Sequence, residues 1–176
     1  MTKISEKELR AALVESLPNL WRFALSLAGS RDLAEDLSQR TCLRALERRG
    51  QVYDAAGIKP WLITICRSIW YNDLRAQALR RTQSLDTSGR FDPAADILRA
   101  EMNILAREVF TSVMTLPEAQ RSVVVLVLVE GYAYREAAEI LDIPIGTIMS
   151  RLSSARAKLG AALSSPKMPT REKGKR

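Results

Sequence analysis

Apolar positions recur every three or four residues along most of the chain, which is the spacing of one face of an α-helix. In the first half this pattern predicts helices over about residues 6–28, 30–49 and 60–81. We expect Pro18 to interrupt the first of them, because proline fits the first turn of a helix better than its interior. The segment from Val52 to Lys59 is predicted to be a loop, and Pro60 is predicted to start the third helix.

A second helical half follows a break in the pattern that begins at residue 82 and is rich in Thr, Ser, Gly, Asp and Pro. The run Val123–Val129 is the one place where a strand competes, but a proline before it and Gly131 after it favour a buried helix. The pattern predicts helices over about residues 94–116, 117–131, 134–141 and 145–163.

The predicted fold class is therefore all-α, with two small helical domains joined by a flexible linker. We place the first domain at residues 1–82, the linker at 83–93, the second domain at 94–163 and a disordered basic tail at 164–176. A chain of 176 residues with 47% apolar side chains has enough material for two packed cores.

The chain is basic, with 27 Lys and Arg residues against 20 Asp and Glu residues and a formal charge of +7. Such an excess indicates a polyanionic partner, either nucleic acid or an acidic membrane surface. The amino terminus carries charge from its third residue and lacks the apolar stretch of a signal peptide. The longest apolar run is far shorter than the roughly 20 residues of a membrane span, so we expect a cytoplasmic protein.

The sequence contains few residues suited to catalysis or to metal binding. The chain has no histidine and two cysteines, Cys42 and Cys66, each within a helical apolar pattern that favours a buried free thiol. It also lacks a glycine-rich phosphate loop and a serine or cysteine with a plausible base. We therefore expect no enzyme activity, no metal, no cofactor and no small-molecule substrate.

The sharpest local motif is YREAAEILDIPIGTIMSRLSSARAKL, two short helices separated by Asp142–Pro144, which fits a helix-turn-helix. At 100° per residue the second helix buries Ile148, Leu152, Ala155 and Leu159. The opposite face carries hydroxyls and cations that bond phosphates and base edges: Thr147, Ser150, Arg151, Ser154 and Lys158. The proline in the turn and the hydroxyl-rich face favour DNA binding over a plain helical hairpin.

Two first-half helices also have distinct faces. In the helix from Pro60, an apolar side (Leu62, Ile65, Cys66, Ile69, Trp70) lies opposite a stripe of Thr64, Arg67, Ser68, Tyr71, Asn72 and Arg75. Cations interleaved with an aromatic residue suit single-stranded nucleic acid. In the preceding helix the apolar side is Ala34, Leu37, Thr41, Cys42 and Ala45, and the other side is Asp36, Gln39, Arg40, Leu43 and Glu47. Alone, this second stripe indicates only a solvated face.

Three segments together resemble the extracytoplasmic-function (group IV) sigma factors of the sigma-70 family. They are DLAEDLSQRTCLRAL, IKPWLITICRSIWYNDLRAQALRR and LPEAQRSVVVLVLVEGYAYREAAEILDIPIGTIMSRLSSARAKL, in the family's order and spacing. The resemblance implies a sigma-2 domain, a linker and a sigma-4 domain that act as a dissociable promoter-specificity subunit of bacterial RNA polymerase.

The resemblance also implies a role for each stripe. It implies that Asp36, Gln39, Arg40 and Leu43 bind the β′ clamp helices of core polymerase. It also implies that the sigma-4 domain contacts the β-flap. Reading of the −10 element falls on the 52–59 loop and on Arg67, Ser68, Tyr71, Asn72 and Arg75. Reading of the −35 element falls on Thr147, Ser150, Arg151 and Ser154, with Lys158 on the same face. The implied partners are core RNA polymerase, promoter DNA and an anti-sigma factor.

Four positions depart from the family pattern. Arg40 stands where Glu is usual, Ser68 replaces a frequent Asn, Ser154 replaces a frequent Arg, and Met149 takes a place that is often basic. The lost cations motivate one alternative, a sigma-like mimic that binds an anti-sigma factor without reading promoters. A further alternative is a helix-turn-helix repressor, which would need dimerisation and a palindromic operator.

Overall fold

The computed structural model describes residues 5–51, 57–83 and 104–164, and within these ranges the chain forms helices and turns without a β-strand. The all-α class predicted from the hydrophobic pattern is confirmed. In chain order the helices are α1 (Glu6–Ala28), α2 (Arg31–Glu47), α3 (Ile58–Gln83), α4 (Ile104–Met114), α5 (Glu118–Val124), α6 (Tyr134–Leu141) and α7 (Ile145–Ser164). A 3₁₀ turn at Arg49–Gln51 follows α2.

Helix α1 is capped at both ends. At its start the Glu8 backbone N–H donates to the Ser5 hydroxyl at 3.2 Å, and the Ser5 backbone N–H donates to the Glu8 carboxylate at 2.9 Å. This capping box satisfies two amides that have no partner within the helix. At its end Gly29 adopts φ 75° and donates to the Leu25 carbonyl at 2.9 Å, a left-handed geometry that a residue without Cβ takes without strain.

The predicted interruption at Pro18 is wrong, because α1 runs through this residue as one helix. Pro18 removes one backbone hydrogen bond, but it lies on the exposed side of α1, where water can hydrate the carbonyl left without a donor. Leu13, Leu20 and Phe23, before and after it, are all buried. The burial of this continuous apolar face offsets the lost hydrogen bond.

Helices α1, α2 and α3 pack against one another as a three-helix bundle. The apolar sides predicted for α2 and α3 face the interior: most of those residues are buried, and Cys42, Ile69 and Trp70 are half-buried. Helix α3 begins at Ile58, two residues before the predicted start. Ile58 is fully buried, and Pro60 still lies within the first turn, where its missing N–H would have no helical acceptor.

The valine-rich segment is helical, as predicted, but its second part is not an α-helix. After α5, residues Val125–Val129 form a π-helical turn, in which the Glu130 N–H donates to the Val125 carbonyl at 2.9 Å. Val123–Leu126 are buried, whereas Leu128 and Val129 are exposed. Gly131, at φ 77°, ends the segment.

One hydrophobic core joins the two halves of the chain. Leu20 and Phe23 of α1 belong to the same buried cluster as Val123 and Leu126 of the valine-rich segment, and α3 also packs against α6. A smaller core at the other end of the first half contains Leu9, Leu13, Ala45, Ile58, Leu62 and Ile65.

The predicted domain limits stay predictions. Residues 84–103, which hold the predicted linker beyond α3 and the start of the predicted helix at 94–116, lie outside the described residues, and so does the tail from residue 165. In the described part of the chain, none of the helices is both long and apolar enough to cross a membrane.

Candidate nucleic-acid and partner interfaces

The helix-turn-helix has a well-defined turn. Helix α6 spans the predicted residues and starts with the Ala133 N–H donating to the Glu136 carboxylate at 2.7 Å. Asp142 ends α6 at φ 50°, and among the described residues it is the one non-glycine residue with positive φ. The Thr147 N–H then donates to the Pro144 carbonyl at 2.8 Å as α7 begins. These contacts fix the direction in which α7 leaves the turn.

Helix α7 shows the two faces expected from its sequence. Ile148, Leu152 and Ala155 are at most 1% exposed, and Leu159 is half-buried. On the opposite face Ser150, Ser154 and Lys158 are exposed, while Thr147 and Arg151 are half-buried. The face therefore offers hydroxyls and cations to a ligand that lies along the helix, which is how a recognition helix meets the major groove.

The two cations of this face differ in their surroundings. Lys158 Nζ donates to Gln120 Oε1 of α5 at 3.1 Å, an exposed contact that a phosphate can replace. Arg151 lies close enough to Glu118 for its charge to lower the pKa of that carboxyl. Burial nevertheless has the largest effect and raises the pKa of Glu118 above its ordinary value.

The stripe predicted on α3 is accessible along most of its length. Ser68, Asn72 and Arg75 are exposed, and Arg75 Nη1 lies 3.5 Å from Asn72 Oδ1. The Arg67 guanidinium carbon lies 5.2 Å from the centre of the Tyr71 ring, within the range of a cation–π contact. An arginine placed over an aromatic ring presents both a stacking surface and positive charge.

Tyr71 brings the α3 stripe into contact with the second half of the chain. Its hydroxyl lies 3.3 and 3.4 Å from the two carboxylate oxygens of Glu118 at the start of α5. Burial, followed by the charge of Glu118, raises the pKa of Tyr71, and the charges of Arg67 and Arg151 lower it. Residues proposed for two different DNA elements thus surround one carboxylate.

The polar face of α2 is open. Asp36 and Gln39 are exposed, and Leu43 is 62% exposed, which is unusual for a leucine in a packed bundle. A groove between α1 and α2 continues this face and is lined by apolar side chains, among them Leu13, Val14, Leu17, Cys42, Leu43 and Leu46. Exposed apolar side chains that form a continuous surface are typical of protein-binding sites.

Arg40, the fourth residue predicted for this face, is engaged within the molecule. Its guanidinium donates to both Asp73 oxygens, at 2.7 and 2.9 Å, and to Asp36 at 3.2 Å. The bonds to Asp73 raise the pKa of this guanidinium further. The bidentate pair links α2 to α3, so Arg40 connects the polar face of α2 to the helix that carries the α3 stripe.

Neither cysteine is an activated thiol. Cys42 is half-buried, Cys66 is buried, and both are free. Burial raises the pKa of both thiols, that of Cys66 to about 12, so the reactive thiolate is scarce at neutral pH. Within the described ranges, no group of three or more His, Cys, Asp or Glu side chains is arranged to hold a metal ion.

The sequence alone did not identify several residues that have a role in the structure. Glu118, Arg121 and Glu130 contact the first half of the chain, and their partners lie 47 to 111 positions away. No local spacing signals such pairs. Arg135, an exposed cation on α6, was also overlooked, although the first helix of a helix-turn-helix crosses the DNA backbone.

Two sequence families match separate parts of the chain. "Sigma-70 region 2" matches residues 13–80, and "Sigma-70, region 4" matches residues 106–159. Among curated relatives, the ECF RNA polymerase sigma factor EcfG of Rhodopseudomonas palustris is 35% identical over 156 residues, which cover 88% of this chain and 84% of the relative. The ECF RNA polymerase sigma factor SigM of Bacillus subtilis is 32% identical and covers 81% of this chain and 87% of the relative.

A solved structure has the same architecture. It is the sigma factor RpoE of Bartonella quintana in complex with the anti-sigma factor NepR. The TM-score is 0.73 at 30% sequence identity, and the match covers 92% of this chain and 99% of that one. Together, the two sigma-70 regions and relatives similar over most of their length show that this protein belongs to the extracytoplasmic-function sigma factors of the sigma-70 family.

Proposed function

We propose that this protein is an alternative sigma factor whose faces on α2, α3 and α7 bind, in turn, core RNA polymerase, the −10 element and the −35 element. The observation that carries the proposal is that α7 has one buried apolar face and one exposed polar face. Ile148, Leu152 and Ala155 are buried in the core, while a row of hydroxyls and cations is left on the outer side. A helix held by its core face in a helix-turn-helix is rigid enough to present side chains to the major groove.

The −35 element is read by the outer face of α7. Arg151 makes the bidentate contact to guanine, and the hydroxyl of Thr147, in the first turn of α7 where the helix dipole favours an anion, binds a phosphate. Ser150 and Ser154 bond base edges or phosphates, and Lys158 adds a phosphate contact. Arg135 on α6 lies where the DNA backbone passes the first helix of the motif.

The −10 element is read by Arg67, Ser68, Tyr71, Asn72 and Arg75 of α3, together with the segment predicted at 52–59, of which residues 52–56 lie outside the described residues and residues 58 and 59 belong to α3. The arginine–tyrosine contact and the exposed polar groups suit a separated strand, whose bases stack while cations meet its backbone. A base extruded into such a site costs a few kcal/mol of lost stacking, which the contacts of the pocket must offset.

The polymerase is bound by the face of α2. Asp36, Gln39 and Leu43 meet the β′ clamp helices, and the apolar groove beside them extends the contact surface. Arg40 has a positioning role, since its contact with Asp36 holds that carboxylate in place. The second half of the chain touches the β-flap, so that the two parts of the protein attach to separate sites on the polymerase.

An anti-sigma factor regulates the protein, as in the complex formed by its structural relative. The protein works beside RNA polymerase in the cytoplasm and performs no catalysis itself. Its exposed apolar residues, such as Val14, Leu33 and Leu43, give such a regulator a surface that competes with the polymerase.

Transcription in vitro tests the proposal. Core polymerase is mixed with the protein and with fragments of the source genome, and run-off products are mapped. We expect promoter-dependent products that are lost when Leu43 is replaced by Glu, since a charge on this exposed leucine blocks docking without disturbing the core. Leu128→Glu, at an exposed leucine of the second half, is the control. The absence of promoter-dependent products with every fragment would refute the proposal.

A sigma-like mimic is the second candidate. It is favoured by Met149, which is 54% exposed on α7 at a place where a cation would hold DNA, and by the occupied hydroxyl of Tyr71. Cross-linking to core polymerase distinguishes the two, because a mimic binds an anti-sigma factor but does not contact the β′ clamp.

A further inference from the structure

Met149 is an exposed apolar side chain on a face of α7 that is otherwise polar. It is 54% exposed and directly precedes Ser150, a proposed contact of the −35 element. Gly146, Met149, Ser150 and Ser153 follow the spacing i, i+3, i+4 and i+7, so they share one face of the helix, and all four are exposed. Met149 therefore lies on the surface that would face DNA in a helix-turn-helix.

Ile145 extends this apolar surface by one turn. It is the first residue of α7, it is 47% exposed, and its position four residues before Met149 makes the two side chains neighbours on the helix surface. Ile148, which lies between them in the sequence, is fully buried and fixes the rotation of the helix. A single exposed apolar residue is common on protein surfaces. Two neighbouring ones form an apolar strip beside the hydroxyls and cations that are proposed to bond DNA.

Gly146 leaves room for a close approach at the same place. Glycine is unfavourable in a helix, and nothing within the protein requires it here. Its φ lies outside the left-handed region, and a Cβ added at this position would meet no heavy atom within 4 Å. A residue without a side chain allows the helix backbone to approach a ligand closely. The position of Gly146 on the face of Met149 therefore indicates that a ligand contacts this face.

Thymine is the base that presents an apolar group in the major groove. Its C5-methyl group distinguishes it from the other bases there, and apolar side chains contact this methyl group. Methionine suits such a contact, because its unbranched, polarizable side chain adapts to an irregular surface. A cation at this position would attract the phosphates of any sequence, whereas a methionine gains most where an apolar group faces it.

We propose that Met149, together with Ile145, reads the C5-methyl group of a thymine in the −35 element, and that Gly146 permits the close approach that this contact needs. The inference deepens the proposed function and rests on it for the placement of α7 in the major groove. The −35 element of this protein then contains an A·T pair at the position that Met149 contacts. Met149 is a specificity-determining residue in this account, and not merely the site of a lost cation.

Replacing thymine by uracil removes the methyl group alone and tests the contact. A promoter is first identified by transcription in vitro, and each thymine on both strands of its −35 element is then replaced by uracil, one at a time. Mobility shift measures binding of the complete holoenzyme. We expect substitution at one position to weaken binding about fourfold, the factor for burial of one methyl group, and substitution elsewhere to have little effect. Unchanged affinity at every position would overturn the proposal.

Substitutions at Met149 test whether its side chain makes the methyl contact. Met149→Gln, which keeps the length of the side chain but makes it polar, should bind the thymine and uracil promoters equally well. Met149→Leu, which stays apolar, should retain the preference for thymine. Val129→Gln is the matched control, since Val129 is also 54% exposed but lies outside the α6–α7 motif, and it should keep the full preference. A Met149→Gln variant that still prefers thymine as strongly as wild type would contradict the assignment.

Gly146→Ala should have different effects on folding and on binding. A Cβ at this position meets no atom of the protein, and alanine favours the helix, so we expect urea denaturation to show a variant at least as stable as wild type. Its affinity should fall for the thymine and uracil promoters alike, because the added Cβ occupies space that the DNA needs. Undiminished promoter binding by this variant would refute the close approach.

The methyl contact and the proposed function can fail separately. A holoenzyme that binds its promoters and is insensitive to uracil would refute the methyl contact and leave the proposed function intact. The absence of promoter-dependent products with every genomic fragment would refute the proposed function, and the methyl contact with it. If Met149→Gln weakens binding to core polymerase when no DNA is present, the apolar strip is a polymerase contact, and the methyl contact is again refuted. Circular dichroism checks that each variant keeps its helices.

Discussion

We propose two sets of contacts for the Arg151 side chain, one within the protein and one with promoter DNA. It lies on the outer face of α7, half-buried, and near the carboxylate of Glu118 on α5. In DNA recognition, guanidinium groups make the most frequent specific contact, a bidentate pair with guanine. The phase of α7 could be predicted from the sequence because it depends on local spacing. The neighbouring carboxylate could not, because it depends on how separate helices pack.

Replacing Arg151 with Ala is expected to weaken binding of the holoenzyme to its −35 element by about 1–3 kcal/mol and to relax sequence preference at one position. Electrophoretic mobility shift with wild-type and point-mutated promoters measures both effects. Lys158→Ala is the comparison: it should weaken binding to all sequences alike and reduce the slope of log affinity against log salt by about 1. Equal behaviour of the two variants would show that Arg151 contacts only phosphates.

Arg40 carries a structural prediction at the same scale. Its side chain is 42% exposed, so water screens its pairs, and the bidentate contact with Asp73 should contribute only about 1 kcal/mol to the free energy of unfolding. Urea denaturation of Arg40→Ala measures this loss, which should shrink at high salt. Arg44→Ala removes an exposed pair with Glu47 within one helix and should cost less. An Arg40 variant as stable as wild type would mean that the link between α2 and α3 contributes nothing.

Within single helices, the conformation that a residue prefers locally can be overridden by the packing of the surrounding side chains. The pattern of apolar residues predicted the faces of α2, α3 and α7, because a side chain's direction follows from helical geometry alone. It predicted a break at Pro18 that does not occur, because the destabilisation by proline inside a helix is smaller than the stabilisation from burying the surrounding apolar face. It also could not reveal the π-helical turn at Val125–Val129, which departs from the 3.6-residue repeat that the prediction assumed.

The same substitution at two prolines should have opposite effects. Pro18→Ala restores a backbone donor inside α1 and is expected to raise the free energy of unfolding by about 2 kcal/mol. Pro117→Ala, at the residue that precedes α5 with φ −54°, is expected to lower it by about 0.5–1 kcal/mol, because proline pre-sets this backbone angle. Chemical denaturation of both variants provides the comparison. Destabilisation by Pro18→Ala would indicate that α1 needs the local geometry that proline imposes.

At the scale of the whole molecule, the two halves share a core while the surface keeps apolar and basic faces exposed. The sequence indicated two helical bodies, and the matched sigma-70 regions fall on those bodies. It did not indicate how the bodies meet, because contacts such as Arg22–Glu130 join residues 108 positions apart. The net charge of +7 and exposed side chains such as Val14 and Leu43 also lead us to expect a free protein that aggregates or responds to salt. A free chain that stays monomeric at low salt would contradict this.

The contact between the halves should respond to pH through Glu118. Burial raises the pKa of this carboxyl in the folded protein above its ordinary value of 4.5. A raised acid pKa means that the folded state holds the proton more tightly, so ionisation of Glu118 costs stability as pH rises from about 4.5 through the folded pKa. We therefore expect wild type to lose stability relative to Glu118→Gln over this interval, as measured by urea unfolding at a series of pH values. A gain relative to Glu118→Gln would show that the arginines around the carboxylate outweigh its burial.

Site-directed cross-linking in the reconstituted transcription complex tests the central claim most directly. A photoreactive amino acid replaces Ser68 on α3 or Ser154 on α7, both exposed, and the cross-linked bases are mapped on a promoter identified by transcription in vitro. The account predicts cross-links from position 68 to the −10 element and from position 154 to the −35 element, about 25 base pairs or roughly 85 Å apart. Cross-links from both positions to one short stretch of DNA, or to none, would contradict it.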